Sequence, residues 1–372
     1  MSWLKHSSMN ILFPTVNKKF LQNPASGGEV WDKEIIRSLS PEGNVELIAP
    51  SRFLLKKPLL LLANLWFFFQ CFKRRKMHSQ IVLENIYTHP WTFLAHWTSL
   101  IFKRNPFIVI AHHLDYPLRP FGPIYFFDKF STWLYLNTAD LILVISDATF
   151  GQVKRLAKET RIHKIFFPIK FSKNFDLNAA SAERRQNKAL NLLFVGNCIP
   201  RKRIELLIPV MQQLGDRAHL DIIGETKLDP HYMSHLTGRV AALGLQNIVF
   251  HGRVPEDHLE KFYRRANIFV LPSLWEGLGI VLLEAMLWGL PIVTAPVGAI
   301  PELVKNDENG FLADPTRTDD FTNCLKKLIE DLDLQERMGG KGRTMALDYL
   351  KQSEACYDQL RDIVKELMTK LH

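Results

Sequence analysis

The segment Asn267–Val297, NIFVLPSLWEGLGIVLLEAMLWGLPIVTAPV, limits the possible folds more than any other stretch. Ile268 to Leu271 is an apolar run short enough for a buried strand, closed by Pro272 and Ser273. A loop containing Gly277 and Gly279 leads into a short apolar helix that ends near Trp288. Gly289 falls where a helix C-cap glycine belongs, Pro291 blocks continuation, and Ile292 to Ala295 reads as a second strand. Strand, loop, helix and strand in about 30 residues make a βαβ unit, so the two strands should be parallel.

Two carboxylates stand inside this unit, Glu276 in the loop and Glu284 in the helix, with seven residues between them. Glu284 sits in IVLLEAM, which holds no other charge. A carboxylate buried there needs hydrogen-bond donors. The neighbouring residues offer no Lys or Arg, so the hydroxyls of a ligand are the expected partner. Glu276 lies where a strand's carboxyl end meets a helix N-terminus, the place at which open α/β sheets bind ligands. The backbone N–H groups of Gly277, Leu278, Gly279 and Ile280 converge there and favour an anion. Carboxylates that seek hydroxyls beside amides that seek an anion imply a nucleotide-sugar site. The plain alternative is a Rossmann-like βαβ unit carrying two incidental glutamates.

The run from EGLG through LLEAM, GLP and VGAIPELV to NGFL resembles the E-x7-E donor segment of family-4 glycosyltransferases, enzymes of the GT-B fold. Gly289, Pro291, Gly298, Pro301, Glu302 and Gly310 carry the resemblance beyond the two glutamates. It implies an α/β GT-B protein: two Rossmann-like doubly wound domains facing each other across a cleft, with a C-terminal helix returning to the N-terminal domain. The implied activity is transfer of a sugar from a nucleoside diphosphate sugar to a hydroxyl, with retention of configuration. Glu276 would orient the sugar's hydroxyls and Glu284 the ribose diol.

A chain of 372 residues suits two domains of ordinary size. The expected division is 1–170 for an acceptor-side domain, 171–189 for a linker, 190–351 for the donor domain and 352–372 for the returning helix. Hydrophobic content of 47% and charged content of 23% are those of a soluble globular protein. Cys71, Cys198, Cys324 and Cys356 show no zinc spacing and fit a reduced cytoplasmic setting. The start, MSWLKHSSMNILFP, lacks a signal-peptide pattern. The net charge of +9 is uneven, because residues 1–180 hold 23 Lys and Arg against 12 Asp and Glu. A basic first half suits an anionic membrane surface, nucleic acid or an acidic substrate.

Met9 to Val16 reads as the first strand, followed by the loop NPASGG and a helix over Glu29 to Leu39. Gly27 and Gly28 let backbone approach a phosphate there; the resemblance sets such a loop near donor phosphates and acceptor. Pro58 to Phe72, PLLLLANLWFFFQCF, precedes Lys73-Arg74-Arg75-Lys76 and is too short to span a bilayer. Two readings stay open, a core helix capped by cations and an interfacial element over Leu59–Lys76 on anionic headgroups. The latter would place the protein on the inner face of the cytoplasmic membrane.

Phe107 to Ala111 reads as a strand with His112 and His113 at its carboxyl end. The H-x-L-D resemblance makes His112 the active-site histidine, with His113 the fallback and Asp115 and Tyr116 on the acceptor side. Leu141 to Ser146 and then a helix from Asp147, N-capped by Ser146, complete the first half.

Leu190 to Gly196 opens the second domain and runs into NCIPRKR. Arg201, Lys202 and Arg203 at a strand–helix junction place cations where a pyrophosphate fits. The family pattern G-R-x3-x-K-G implies that Gly196 and Lys202 belong to a diphosphate clamp. Asn197 replaces the clamp arginine and Arg203 the second glycine, so Arg201 or Arg203 would have to substitute. VFHGRVP resembles the segment that flanks the base, which makes Arg253 and Val254 candidates. Asp331-Leu332-Asp333 lies in a charged helical stretch and reads as surface. No residue cluster asks for a metal, and no cofactor is expected besides the nucleotide-sugar co-substrate. The acceptor is a sugar, polysaccharide or lipid-linked hydroxyl. A GT-B nucleotide-sugar epimerase and, from another class, a basic nucleic-acid-binding protein are the rival readings, the latter without any recognised motif.

Overall fold

A computed structural model describes residues 10–14, 27–39, 45–48, 65, 69, 80–85, 106–112, 123–166, 176–186 and 189–371. His113, Asp115, Tyr116 and the basic run 73–76 lie outside them. The chain divides into two compact units. One combines Met1–Pro168 with Gln352–His372, and the other is Ile169–Lys351.

The first unit holds β1 (Asn10–Pro14), α1 (Gly27–Leu39), β2 (Val45–Ile48), β3 (Gln80–Asn85), β4 (Phe107–Ala111), α2 (Pro123–Thr138), β5 (Leu141–Val144), α3 (Asp147–Lys154) and β6 (Ile162–Lys164). Its strands form one parallel sheet in the order β2-β1-β3-β4-β5-β6. All five residues of β4 are buried, as a strand covered on both faces of a parallel sheet requires. Phe107, Val109, Tyr135, Leu136, Ile142 and Val144 belong to one apolar cluster in which α2 packs against β4 and β5. Ser146 caps α3 as expected, accepting from the Thr149 N–H.

The second unit holds α4 (Leu177–Arg185), β7 (Leu190–Val195), α5 (Ile204–Leu214), β8 (Ala218–Ile223), α6 (Pro230–Ala242), β9 (Ile248–Gly252), α7 (Glu256–Arg265), β10 (Ile268–Leu271), α8 (Ile280–Leu287), β11 (Ile292–Thr294), α9 (Ile300–Leu303), β12 (Gly310–Leu312), α10 (Thr318–Glu330) and the first half of α11 (Leu332–Leu371). Its parallel sheet runs β12-β11-β10-β7-β8-β9. The βαβ reading holds: β10 and β11 pair in parallel, with Phe269 opposite Ile292 and Leu271 opposite Thr294. Strand order reverses between β7 and β10, so their carboxyl ends flank the switch point of a doubly wound sheet.

The stretch expected as a linker, 171–189, is corrected in part, because Leu177–Arg185 is a helix of the second unit. Asp176 caps it by accepting from the Asn178 and Ala179 N–H groups. The sequence LNAASAERR has few apolar residues and so no amphipathic period to betray it. The last turns of α11 join the first unit, where Ser353 Oγ donates to the Phe166 carbonyl at 3.3 Å and Leu360 and Val364 are buried.

Candidate donor site

Lys202 follows β7 and Glu276 follows β10, so the switch point brings together side chains 74 residues apart. Lys202 Nζ donates to Glu276 Oε1 at 2.5 Å, and Ser273 Oγ donates to the same oxygen at 2.7 Å. The second oxygen, Oε2, lies 3.5 Å from Arg201 Nη1. Glu276 and Lys202 are both buried, 6% and 8% exposed. Burial pushes the Glu276 carboxyl up, but Lys202, Arg201 and the Ser273 hydroxyl outweigh it and hold the group below its ordinary value. The cation that pairs with this carboxylate comes from the end of the neighbouring strand, not from nearby sequence.

The loop that carries Glu276 is strapped to the turn that carries Lys202. The Leu274 N–H donates to the Arg201 carbonyl at 2.9 Å, Arg201 Nη1 donates to the Trp275 carbonyl at 2.5 Å, and the guanidinium lies 5.5 Å from the Trp275 ring centre. Gly298 stands against the other side of the loop at φ +57, and a Cβ there would collide with the Glu276 carbonyl. Only glycine fits both the left-handed backbone and that approach. The Ala299 N–H closes the contact by donating to the Gly277 carbonyl at 3.1 Å.

Of the two arginines considered for the clamp place at Asn197, Arg201 stands beside Glu276. Arg203 Nε points to Glu205 Oε1 at 3.1 Å, at the start of α5. Arg203 itself has φ +54, a left-handed conformation at the position where the family pattern has a glycine. Gly196 and Asn197 follow β7 directly, with Gly196 against the Lys202 side chain. Gly279, at φ +76, starts α8, whose first turn leaves backbone N–H groups without helical partners. Arg253 and Val254 follow β9, two strands from β7 at the edge of the sheet.

Glu284 lies on α8, and its Oε2 accepts from the Tyr263 hydroxyl of α7 at 2.7 Å. Burial raises its pKa to about 7, and Glu256 adds to the rise against the Tyr263 hydrogen bond. Glu284 thus has a protein donor that the neighbouring sequence does not reveal. The tyrosine ring is stacked on Trp288 at 6.4 Å and on Phe269 at 6.1 Å.

In the first unit, Gly27 and Gly28 open α1 rather than ending the loop before it, which sets their amides on the helix's first turn. His112 follows β4 directly and is buried, with Nε2 3.0 Å from Asp32 Oδ1. A carboxylate ion can only accept, so the imidazole donates from Nε2. Its carbonyl accepts from Thr149 Oγ1 at 3.0 Å. Asp32 was not anticipated, although Asp32, Ile35, Ile36 and Leu39 share one helical stripe and an acid there signals a buried partner. Ser273 and Tyr263 carry no such signal.

Asp331 Oδ1 accepts from the Leu334 N–H at the start of α11, and Asp333 lies 3.4 Å from Arg185. Among the described residues, no group of three or more His, Cys, Asp or Glu side chains is placed to hold a metal. Among them also, no helix is long and apolar enough to cross a membrane. Of the apolar stretch 58–72 only Leu65 and Phe69 are described; both are helical and exposed.

The family profile described as glycosyl transferases group 1 matches residues 176–345. An uncharacterized glycosyltransferase of Methanocaldococcus jannaschii is 32% identical over 270 residues, spanning 68% of this chain and 67% of that protein. Further curated relatives are spanned over 29% to 62% of their own length. Sucrose-phosphate synthase from Thermosynechococcus elongatus is similar in structure, with a TM-score of 0.74 at 20% identity over 97% of this chain and 100% of that one. The Anabaena protein HepE in complex with UDP and glucose gives a TM-score of 0.72 at 19% identity over 96% and 99%. These likenesses show the GT-B fold. With its parallel sheets, its switch-point carboxylate and its 32% identity across two thirds of a related glycosyltransferase, the chain belongs to the group 1 glycosyl transferases.

Proposed function

We propose that the protein is a family-4, retaining hexosyltransferase that moves a sugar from a nucleoside diphosphate sugar to a hydroxyl acceptor. The observation that carries this reading is the Lys202–Glu276 pair at the switch point, with the first turn of α8 beside it. An ammonium has three donors, so Lys202 can keep its carboxylate while taking a phosphate oxygen. Arg201 and the amides of Gly277, Leu278, Gly279 and Ile280 supply further donors for the charge that grows on the leaving diphosphate. Lys202 and these groups are proposed to meet that charge without a bound metal or other cofactor.

Glu276 then orients the hydroxyls of the transferred sugar, Glu284 takes the ribose diol, and Arg253 and Val254 flank the base. Gly196 and Asn197 leave room for the phosphates, and Gly27 and Gly28 line the acceptor approach. His112, oriented by Asp32, contacts the sugar near the reacting carbon. Retention follows in this reading from acceptor attack on the face the diphosphate leaves. UDP in the complex of the similar Anabaena protein supports a nucleotide donor.

The basic first half favours a sugar, polysaccharide or lipid-linked acceptor at the inner face of the cytoplasmic membrane, met through Leu59–Lys76, in the assembly of cell-surface polysaccharide, lipopolysaccharide or glycolipid. Nucleic acid is not an expected partner. A thermal-shift screen against UDP-, GDP-, ADP- and TDP-sugars tests the donor reading, because a bound donor raises the midpoint by mass action. A shift with one nucleotide class is expected, and turnover should give a product of unchanged anomeric configuration. No shift with any of the four contradicts it.

A further inference from the structure

Arg184 is a buried cation on α4 that has no carboxylate within ion-pair distance among the described residues. Its partners are backbone carbonyls. Nε donates to the Arg264 carbonyl at 2.8 Å, and Nη2 donates to those of Tyr263 at 3.2 Å and Trp288 at 2.9 Å. Tyr263 and Arg264 lie in the last turn of α7, and Trp288 is the C-cap of α8. Each helix end carries roughly half a negative charge, so two of them together balance one guanidinium. That balance explains how a cation is retained where burial lowers its pKa to about 10.

The two helices whose ends Arg184 joins are the two that form the Tyr263–Glu284 hydrogen bond. Trp288, which gives Arg184 its carbonyl, donates its own N–H to the Glu284 carbonyl and stacks on Tyr263. The guanidinium, the two rings and the carboxylate are thus one contiguous network. A shift of α7 against α8 would break the 2.7 Å bond before it disturbed either strand.

We propose that Arg184 is a positioning residue of the donor site, fixing α7 against α8 so that Tyr263 holds the Glu284 carboxylate toward the ribose diol. This rests on the reading that Glu284 takes that diol. It assigns a function to a segment that composition alone marks as a spacer between domains.

The test compares the tightest binder among UDP, GDP and ADP with its 2′,3′-dideoxy form, by calorimetry on the full chain. The dideoxy form lacks the hydroxyls that Glu284 would hold, so general damage weakens both ligands and mispositioning weakens only the ribose form. Tyr263→Phe and Arg184→Met should each weaken the ribose form about tenfold and leave the dideoxy form within about twofold. Arg184→Lys keeps the charge but not the planar fork and should lose part of the preference. If Arg184→Met fails to fold, Tyr263→Phe and Arg184→Lys decide the matter. Parallel weakening of both ligands overturns the proposal, as does full ribose preference in Tyr263→Phe and Arg184→Lys while Glu284→Gln has lost it. Unchanged preference in Glu284→Gln overturns the ribose reading itself, as does binding of TDP alone, whose sugar has no 2′-hydroxyl, and binding of none of the four nucleotides overturns both.

Discussion

The ammonium of Lys202 and the carboxylate of Glu276 form a buried ion pair, 2.5 Å from Nζ to Oε1, where the strand order of the second sheet reverses. Neither residue can be read alone. Lys202 offsets the upward push of burial on the Glu276 carboxyl, and Glu276 in turn holds the lysine at the carboxyl ends of the two strands.

Breaking this pair from one side should be costly. Lys202→Met leaves a buried charge with only Ser273 and a longer contact to Arg201, and should lose about 3 kcal/mol of stability in urea. Lys202→Met combined with Glu276→Gln should recover most of that loss without recovering turnover. Recovery of both would show that the pair is structural only.

Glu284 should make the protein's behaviour near neutrality depend on pH. Its folded pKa of about 7 lies above the ordinary 4.5, so the folded state binds the extra proton between those values. Stability from this group is therefore present below pH 4.5 and falls as pH rises through 7, by up to about 3 kcal/mol. Glu284→Gln should flatten that decline. Nucleotide affinity should move the opposite way in the wild type, increasing as the carboxylate ionises and can accept from two hydroxyls.

Asp32 should matter through His112. Asp32→Asn can present its amide to Nε2, reversing the ring's tautomer while keeping its volume. Turnover should fall about tenfold or more, with nucleotide affinity unchanged, measured by steady-state kinetics beside calorimetry. Equal loss in both measurements would mean that Asp32 serves folding alone.

Gly298→Ala should displace the Glu276 loop, because the new methyl meets the Glu276 carbonyl at a backbone angle that disfavours side chains. A loss of at least about 2 kcal/mol in stability, together with lost nucleotide binding, is expected from denaturant unfolding and calorimetry.

Much of this architecture is legible in the chain. The β10–α8–β11 unit could be drawn from Pro272, Gly289 and Pro291 alone, and its parallel pairing follows from its length. What sequence does not display is adjacency across the sheet. Nothing near Glu276 points to Lys202, since their meeting depends on β7 and β10 becoming neighbours. Tyr263 is equally silent, lying in a helix of charged residues whose buried face is narrow. α2 escapes because PIYFFDKFSTWLYLNT is apolar and aromatic around most of its circumference, so no 3.6-residue period emerges. α4 escapes for the opposite reason, having Leu177 as its one large apolar side chain and a buried cation satisfied by carbonyls.

Whether the switch point grips a diphosphate decides the proposed activity. Calorimetric titration of UDP-, GDP-, ADP- and TDP-sugars into the wild-type chain and Lys202→Met measures this directly. One nucleotide class should bind the wild type, with affinity falling as salt rises and at least about tenfold weaker binding to Lys202→Met. Equal affinity in the two proteins, or binding of no donor by the wild type, would contradict it.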